Sequence, residues 1–206
     1  MSSEPLTRLH RKPDRGGDRA LLDEVLDTVT VGTLSTVVDG LPWSVPMLFA
    51  RDGDRILLHG STGAGALRQV ADGAPATLTA FVLDALVVAD TLFDHSANYR
   101  SAVVRGTLEN IRDDASHALD VLSDKLIPGR VAEVRDHTRK EVAATAVVSL
   151  PIVDGQWITK ARSGPPGEPE DPSRWTGTVG VRTVYDRPIT ATGDEPPESI
   201  RRLVDG

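Results

Sequence analysis

The chain has 206 residues, 39% of them hydrophobic and 26% charged, which suits one folded domain with appendages. Its formal net charge of −7 argues against general nucleic-acid binding, because an acidic surface repels phosphate backbones. Cysteine is absent, which excludes disulfides, thiolate nucleophiles and thiolate metal sites. The opening MSSEPLTRLHRKPDRGGDR holds no apolar leader core, and no run approaches the ~18 apolar residues of a membrane helix, so a cytoplasmic protein without membrane attachment is expected.

Residues 1–19 read as a polar N-terminal arm carrying Arg8, His10, Arg11, Lys12 and Arg15. Residues 20–28 place Leu21, Leu22, Val25 and Leu26 at helical spacing, with Asp18 as the cap. Three β-rich runs follow at 30–38, 41–51 and 55–59. Asp39-Gly40 joins the first two, and Asp52-Gly53 opens the turn before the third, a strong hairpin signal. A glycine-rich turn, residues 60–65, then leads into a short helix bearing Ala66, Leu67 and Val70.

Further strands are predicted at 76–83, 86–91 and 99–111. Asp113 or Asp114 can cap a helix over 115–126, which Pro128-Gly129 terminates. Residues 130–142 read as one more helix. Residues 147–153 and 156–161 read as a hairpin across Asp154-Gly155. Residues 163–173 are a loop rich in proline, glycine and acid. Residues 179–184 read as a last strand, and 186–206 as a tail ending in a helix over 198–203. One main domain, 20–185, carries these elements. Six or seven closely spaced strands that do not alternate with helices predict a mainly β fold, a small antiparallel barrel with peripheral helices.

Three polar clusters are candidates for chemistry. The turn His59-Gly60-Ser61-Thr62-Gly63-Ala64-Gly65 leaves a strand and enters a helix. Backbone N–H groups at a helix start, with the Ser61 and Thr62 hydroxyls, make a seat for phosphate. The turn is neither a Walker loop nor a dinucleotide fingerprint, and it also reads as a plain connection. The second cluster is Asp94-His95-Ser96-Ala97-Asn98-Tyr99-Arg100-Ser101, which also reads as an exposed loop. The third is Lys160, Arg162 and Trp175, two cations and a flat aromatic face around the proline-rich loop. His10, His59, His95, His117 and His137 are scattered without ligand spacing, so no metal centre is expected. His117 and His137 read as solvated.

Four blocks in the same order resemble the pyridoxamine 5′-phosphate oxidase-like flavin-nucleotide-binding proteins, relatives of the nitroimidazole-resistance proteins. They are HRKPDRGGDR with LLDEVLDT, then VDGLPWSVPMLFARDGDRILLHGS, LVVADTLFDHSANYRSAVVRGTLENIRDD, and TAVVSLPIVDGQWITKARSGPPGEPEDPSRWTGTVGV. The resemblance spans residues 8–185. It implies a six-stranded antiparallel split β-barrel, a homodimer, and flavin sites at the subunit interface, usually for FMN.

On that resemblance Ser61, Thr62 and Gly63 hold the phosphate, with Arg68, Arg100, Lys160 and Arg162 as cations. Asn98, Tyr99 and Ser101 bond the ring or ribityl chain, Trp175 covers the pocket, and His59 faces a small-molecule substrate as the catalytic residue. Two positions depart from the family pattern. Gly65 and Asp90 stand where basic residues usually serve the phosphate. The resemblance therefore implies an FMN-dependent oxidoreductase. The departures keep open a non-catalytic flavin or other cofactor store and a cofactor-free dimeric scaffold. Deazaflavin, or haem with His59 or His95 as axial ligand, is an alternative cofactor.

Overall fold

The computed structural model describes residues 12–61, 67, 73–193 and 195–205. The chain divides into two compact units. One comprises Met1–Val29, Thr79–Val104 and Asp154–Thr183; the other comprises Thr30–Leu78, Arg105–Val153 and Val184–Gly206.

The second unit is built on an antiparallel meander. Strands β1 (Val31–Val38), β2 (Leu41–Asp52) and β3 (Arg55–Ser61) pair in sequence order. Asp39 and Gly40 both take positive φ, 52° and 76°, at the two-residue turn of β1 and β2. A turn of that hand matches the twist of the strands it joins. Gly53, with φ 57°, starts the next turn. Strand β3 pairs in turn with β7 (Thr145–Pro151), and β7 with the two-residue β6 (Glu109–Asn110).

Helix α2 (Ala115–Leu126) lies on this unit's sheet. Its Ala115, Ala118, Leu119 and Leu122 pack with Ala50, Leu57 and Val147 into one buried cluster. Leu57 of β3 points toward α2, and so does every second residue from it, which includes His59. Asp114 occupies the N-cap position, yet its carboxylate accepts from Arg55 Nη2 at 2.8 Å instead of capping the helix.

The first unit holds α1 (Arg19–Thr28), capped as expected by Asp18, which accepts from the Leu21 amide at 3.2 Å. The arm residues ahead of it are tied down, the Gly17 amide donating to Thr159 Oγ1 at 3.1 Å. In this unit β4 (Pro75–Val88) neighbours β5 (Ser96–Thr107), β5 pairs with β8 (Trp157–Arg162), and β9 (Gly177–Gly180) pairs with β4. The first residues of β4 and the last of β5 belong to the other unit.

Four elements differ from the sequence reading. The two strands expected over 76–91 are the single strand β4, because Asp84 is not a turn. Its carboxylate is held inside the strand by Arg100, at 2.7 and 3.1 Å. The strand expected over 99–111 is interrupted at Leu108, whose backbone exchanges hydrogen bonds with Gly73 and Ala74.

The helix expected over 130–142 is a short 3₁₀ turn, Val131–Glu133, followed by α3 (Arg139–Ala143). Thr138 and Glu141 form a reciprocal capping box that starts a new helix there. The hairpin expected over 147–161 does not form, since β7 takes β3 and β6 as partners while β8 takes β5. The described residues thus carry nine strands where six or seven were expected. The terminal helix is present as α4 (Glu198–Asp205), and no described helix is long and apolar enough to cross a membrane.

The Leu57 side chain is fully buried in the α2 cluster. Leu57→Ala should therefore cost about 2–5 kcal/mol, read as a lowered midpoint in urea unfolding with an unchanged slope.

Candidate functional site

The pairing of β5 with β8 joins two sequence blocks some sixty residues apart. Tyr99 stands opposite Arg162, Arg100 opposite Ala161, and Ser101 opposite Lys160. Directly opposed residues share a face, and alternate residues change face. Tyr99, Ser101, Lys160 and Arg162 therefore occupy one face of the ladder, and Arg100 the other.

The Arg100 face is closed. Its guanidinium binds Asp84 through two nitrogens and Glu24 of α1 at 2.6 Å. The hydrogen bonds it donates to Asp84 raise the Arg100 pKa above its ordinary value, against the effect of burial. Its hydrogen-bonding capacity is largely spent within the chain.

The opposite face keeps more of its polar capacity. Lys160 makes no ion pair among the described residues, and its carbonyl accepts from Ser101 Oγ at 3.1 Å. Arg162 Nη1 donates to Asn98 Oδ1, and Asn98 Nδ2 donates to the Gly164 carbonyl at 3.0 Å. Asn98 is thus a brace that joins the start of β5 to the loop after β8.

Trp175 is exposed, and its ring lies over Gly177. A Cβ added at Gly177 would come within 2.8 Å of that ring, so a larger residue there would have to displace the indole. Ser61 ends β3, exposed and opposite Thr145. Thr62, Gly63, Gly65 and Arg68 lie outside the described residues, so the expected phosphate turn is described only at its edges.

A polar cavity of about 410 Å³ adjoins Arg162 and is also bordered by Lys12, Arg15, Asp90 and His95. Asp90 accepts from the Asp171 amide at 2.8 Å, so this carboxylate anchors the proline-rich loop. His95 Nδ1 accepts from the Ala89 amide at 3.1 Å. Thr91 and Asp94 hydrogen-bond to each other and close the intervening turn. That turn projects Leu92 and Phe93 outward, 90% and 95% exposed.

His59 lies elsewhere, in the second unit. It borders an apolar cavity of about 330 Å³ with Leu48, Leu119, Leu122, Leu126 and His137. Its Nδ1 is buried without a hydrogen-bond partner among the described residues. Burial pushes the imidazole below its ordinary pKa, so it is neutral at neutral pH. His137 is exposed, as expected, and also borders this cavity, with Nε2 3.4 Å from Asp120 Oδ1. No local spacing signals that cavity, because its histidines are 78 residues apart in the chain.

Residues 18–156 match the family described as pyridoxamine 5′-phosphate oxidase. No curated protein matches the chain. Among solved structures, the FAD and haem binding protein from Mycobacterium smegmatis is 42% identical, with a TM-score of 0.87 over 92% of this chain and 97% of that one. The flavocytochrome Anf3 from Azotobacter vinelandii is 29% identical, with a TM-score of 0.84 and 96% of each chain covered. A Bacteroides thetaiotaomicron protein named for 5-nitroimidazole antibiotic resistance shares the fold, at 22% identity and a TM-score of 0.59 over 69% of this chain and 83% of that one. The fold is the split β-barrel expected from the sequence, and the chain belongs to the pyridoxamine 5′-phosphate oxidase family.

Proposed function

We propose that this chain is a flavin-nucleotide-binding oxidoreductase that also carries haem, acts on a small molecule and works as a homodimer. The observation that carries this reading is the 42% identity, over almost the whole of both chains, to a protein named for binding FAD and haem. The similar chain from Azotobacter is named a flavocytochrome, which supports the same pairing of groups.

The residues fit a flavin. The open face of β5 and β8 offers a phenol at Tyr99, a hydroxyl at Ser101 and cations at Lys160 and Arg162. Phenol and hydroxyl suit the polar edges of a ring and ribityl chain, and the cations suit phosphate oxygens. A bound isoalloxazine would supply the hydride and single-electron chemistry. The chain's own part is to orient the flavin. Asn98 holds Arg162 in place, and Asp90 holds the 163–173 loop.

FAD is favoured over FMN. FMN ends in a phosphate monoester with nearly two charges on one phosphorus, whereas the FAD pyrophosphate spreads the same charge over two. Asp90 replaces a basic residue of the family pattern and faces the cavity beside Arg162. Weakening one cation cluster costs the concentrated charge more.

The homodimer reading rests on exposed apolar side chains in the first unit. Leu92, Phe93, Phe81 and Trp175 are all at least 65% exposed, and large exposed apolar groups mark interaction surfaces when they cluster.

Purified protein passed over a desalting column should retain yellow flavin absorbance, and mass analysis of the released flavin should give FAD. Release of FMN alone would assign the smaller nucleotide. A colourless protein that takes up neither would leave a cofactor-free scaffold. A flavin that is retained but exchanges electrons with no nicotinamide donor or small-molecule acceptor would make the protein a store.

Lys160→Ala should weaken flavin retention about tenfold or more, the effect of one lost charge-assisted bond. Arg100→Met should instead lower the thermal midpoint and leave Asp84 and Glu24 without their cation. Phe93→Asp together with Leu92→Asp should give a monomer by sedimentation if the first unit forms the dimer contact.

A further inference from the structure

Resting on the flavin half of that reading, we infer that the polar cavity beside Arg162 seats an adenylate group, the adenosine 5′-phosphate end of a dinucleotide. The cavity holds about 410 Å³ and lies wholly within the first unit. An adenylate asks for cations at its phosphate, acceptors at its ribose hydroxyls and a flat apolar face for its purine. The wall supplies each of these from a different segment.

The cations come from β8 and from the arm. Arg162 ends β8, where it donates to Asn98. It also stands on the open face of β5 and β8, so a phosphate held there joins the flavin face to the cavity. Lys12 and Arg15 border the same space. A 3₁₀ turn over Pro13–Arg15 brings residues three apart to one side, and the Gly17 amide ties the arm to Thr159 of β8. His95 adds a neutral donor. Its Nδ1 accepts from the Ala89 amide, so the proton of the neutral ring sits on Nε2.

The acceptors come from the proline-rich loop. Asp90 and Asp94 are already engaged, with the Asp171 amide and with Thr91. Glu168 and Glu170 make no ion pair among the described residues, although they border the same cavity as three cations. Opposite charges held apart around one space suit a ligand with acceptor oxygens at one end and hydroxyl donors at the other. Phe93 stands at the rim, 95% exposed, and offers the flat face on which a base stacks. Two carriers share this chemistry, FAD itself and a nicotinamide dinucleotide donor.

The test is calorimetric titration of the purified full chain with AMP, after its flavin has been removed and again after reloading with FAD. Wild type is compared with the double variant Lys12→Ala/Arg15→Ala and with Phe93→Leu, which keeps an apolar side chain at the rim. Thermal midpoints control for folding. Flavin-free wild type should bind one AMP per chain. The double variant should bind it at least tenfold more weakly and Phe93→Leu several-fold more weakly, with unchanged midpoints. Exclusion of AMP from the FAD-loaded chain would assign the cavity to the adenylate of FAD. AMP bound equally by both forms would assign it to the nicotinamide dinucleotide. Wild type that binds no AMP, or binds it with an affinity unaltered in either variant, would overturn the site, while retained flavin would keep the flavin reading intact. A chain that takes up no flavin would overturn that reading, and AMP binding by the same flavin-free chain would still decide the cavity.

Discussion

The register of β5 against β8 is the constraint on which the candidate flavin site depends. Residues 99–101 and 160–162 are each polar stretches with no local reason to act together. Backbone hydrogen bonding places Tyr99 against Arg162 and Ser101 against Lys160, and the two-residue period of a strand then sorts their side chains. A slip of one residue between the two strands would put Lys160 and Arg162 on the same face as Arg100. The ion pairs of Arg100 with Asp84 of β4 and Glu24 of α1 hold the other face of β5 against those elements. A cation that looks like a ligand in the sequence thus serves as a tie between β5, β4 and α1.

Packing of α2 on the second unit's sheet has a comparable role for the His59 cavity. Small residues, Ala50, Ala115 and Ala118, let the helix approach the strands closely at its start. Toward its end the leucines Leu119, Leu122 and Leu126 border open space next to His59. The same helix therefore closes a core at one end and opens a cavity at the other. His59 is left there with its Nδ1 buried and without a hydrogen-bond partner among the described residues.

Charge is arranged in keeping with these roles. Most acids on the described surface are committed to neighbours: Asp114 to Arg55, Glu141 to Arg135, and Glu133 to Ser199 and Arg130. The hydrogen bonds these carboxylates accept hold them below the ordinary carboxylate range. An acidic chain can still present a cationic face locally when its carboxylates are paired elsewhere.

The amino-acid sequence by itself determined the local features. The Asp39-Gly40 turn, the Asp18 cap, helix 115–126 and the proline-rich loop all follow from residue chemistry within a few positions. The order of its four blocks also determined the family and hence the split barrel. Tertiary structure decided whatever depends on partners distant in the chain. Asp84 could be read as a turn until Arg100 held it in a strand, and Asp114 as a cap until Arg55 took its carboxylate. The segments 147–153 and 156–161 could be read as a hairpin until each found another strand. His59 and His137 border one cavity only because the fold brings β3 and the segment ahead of α3 to it. The physical reason is the same in each case. Hydrogen bonds and burial are satisfied by whichever group the fold places nearby, and sequence neighbours are only one source of such groups.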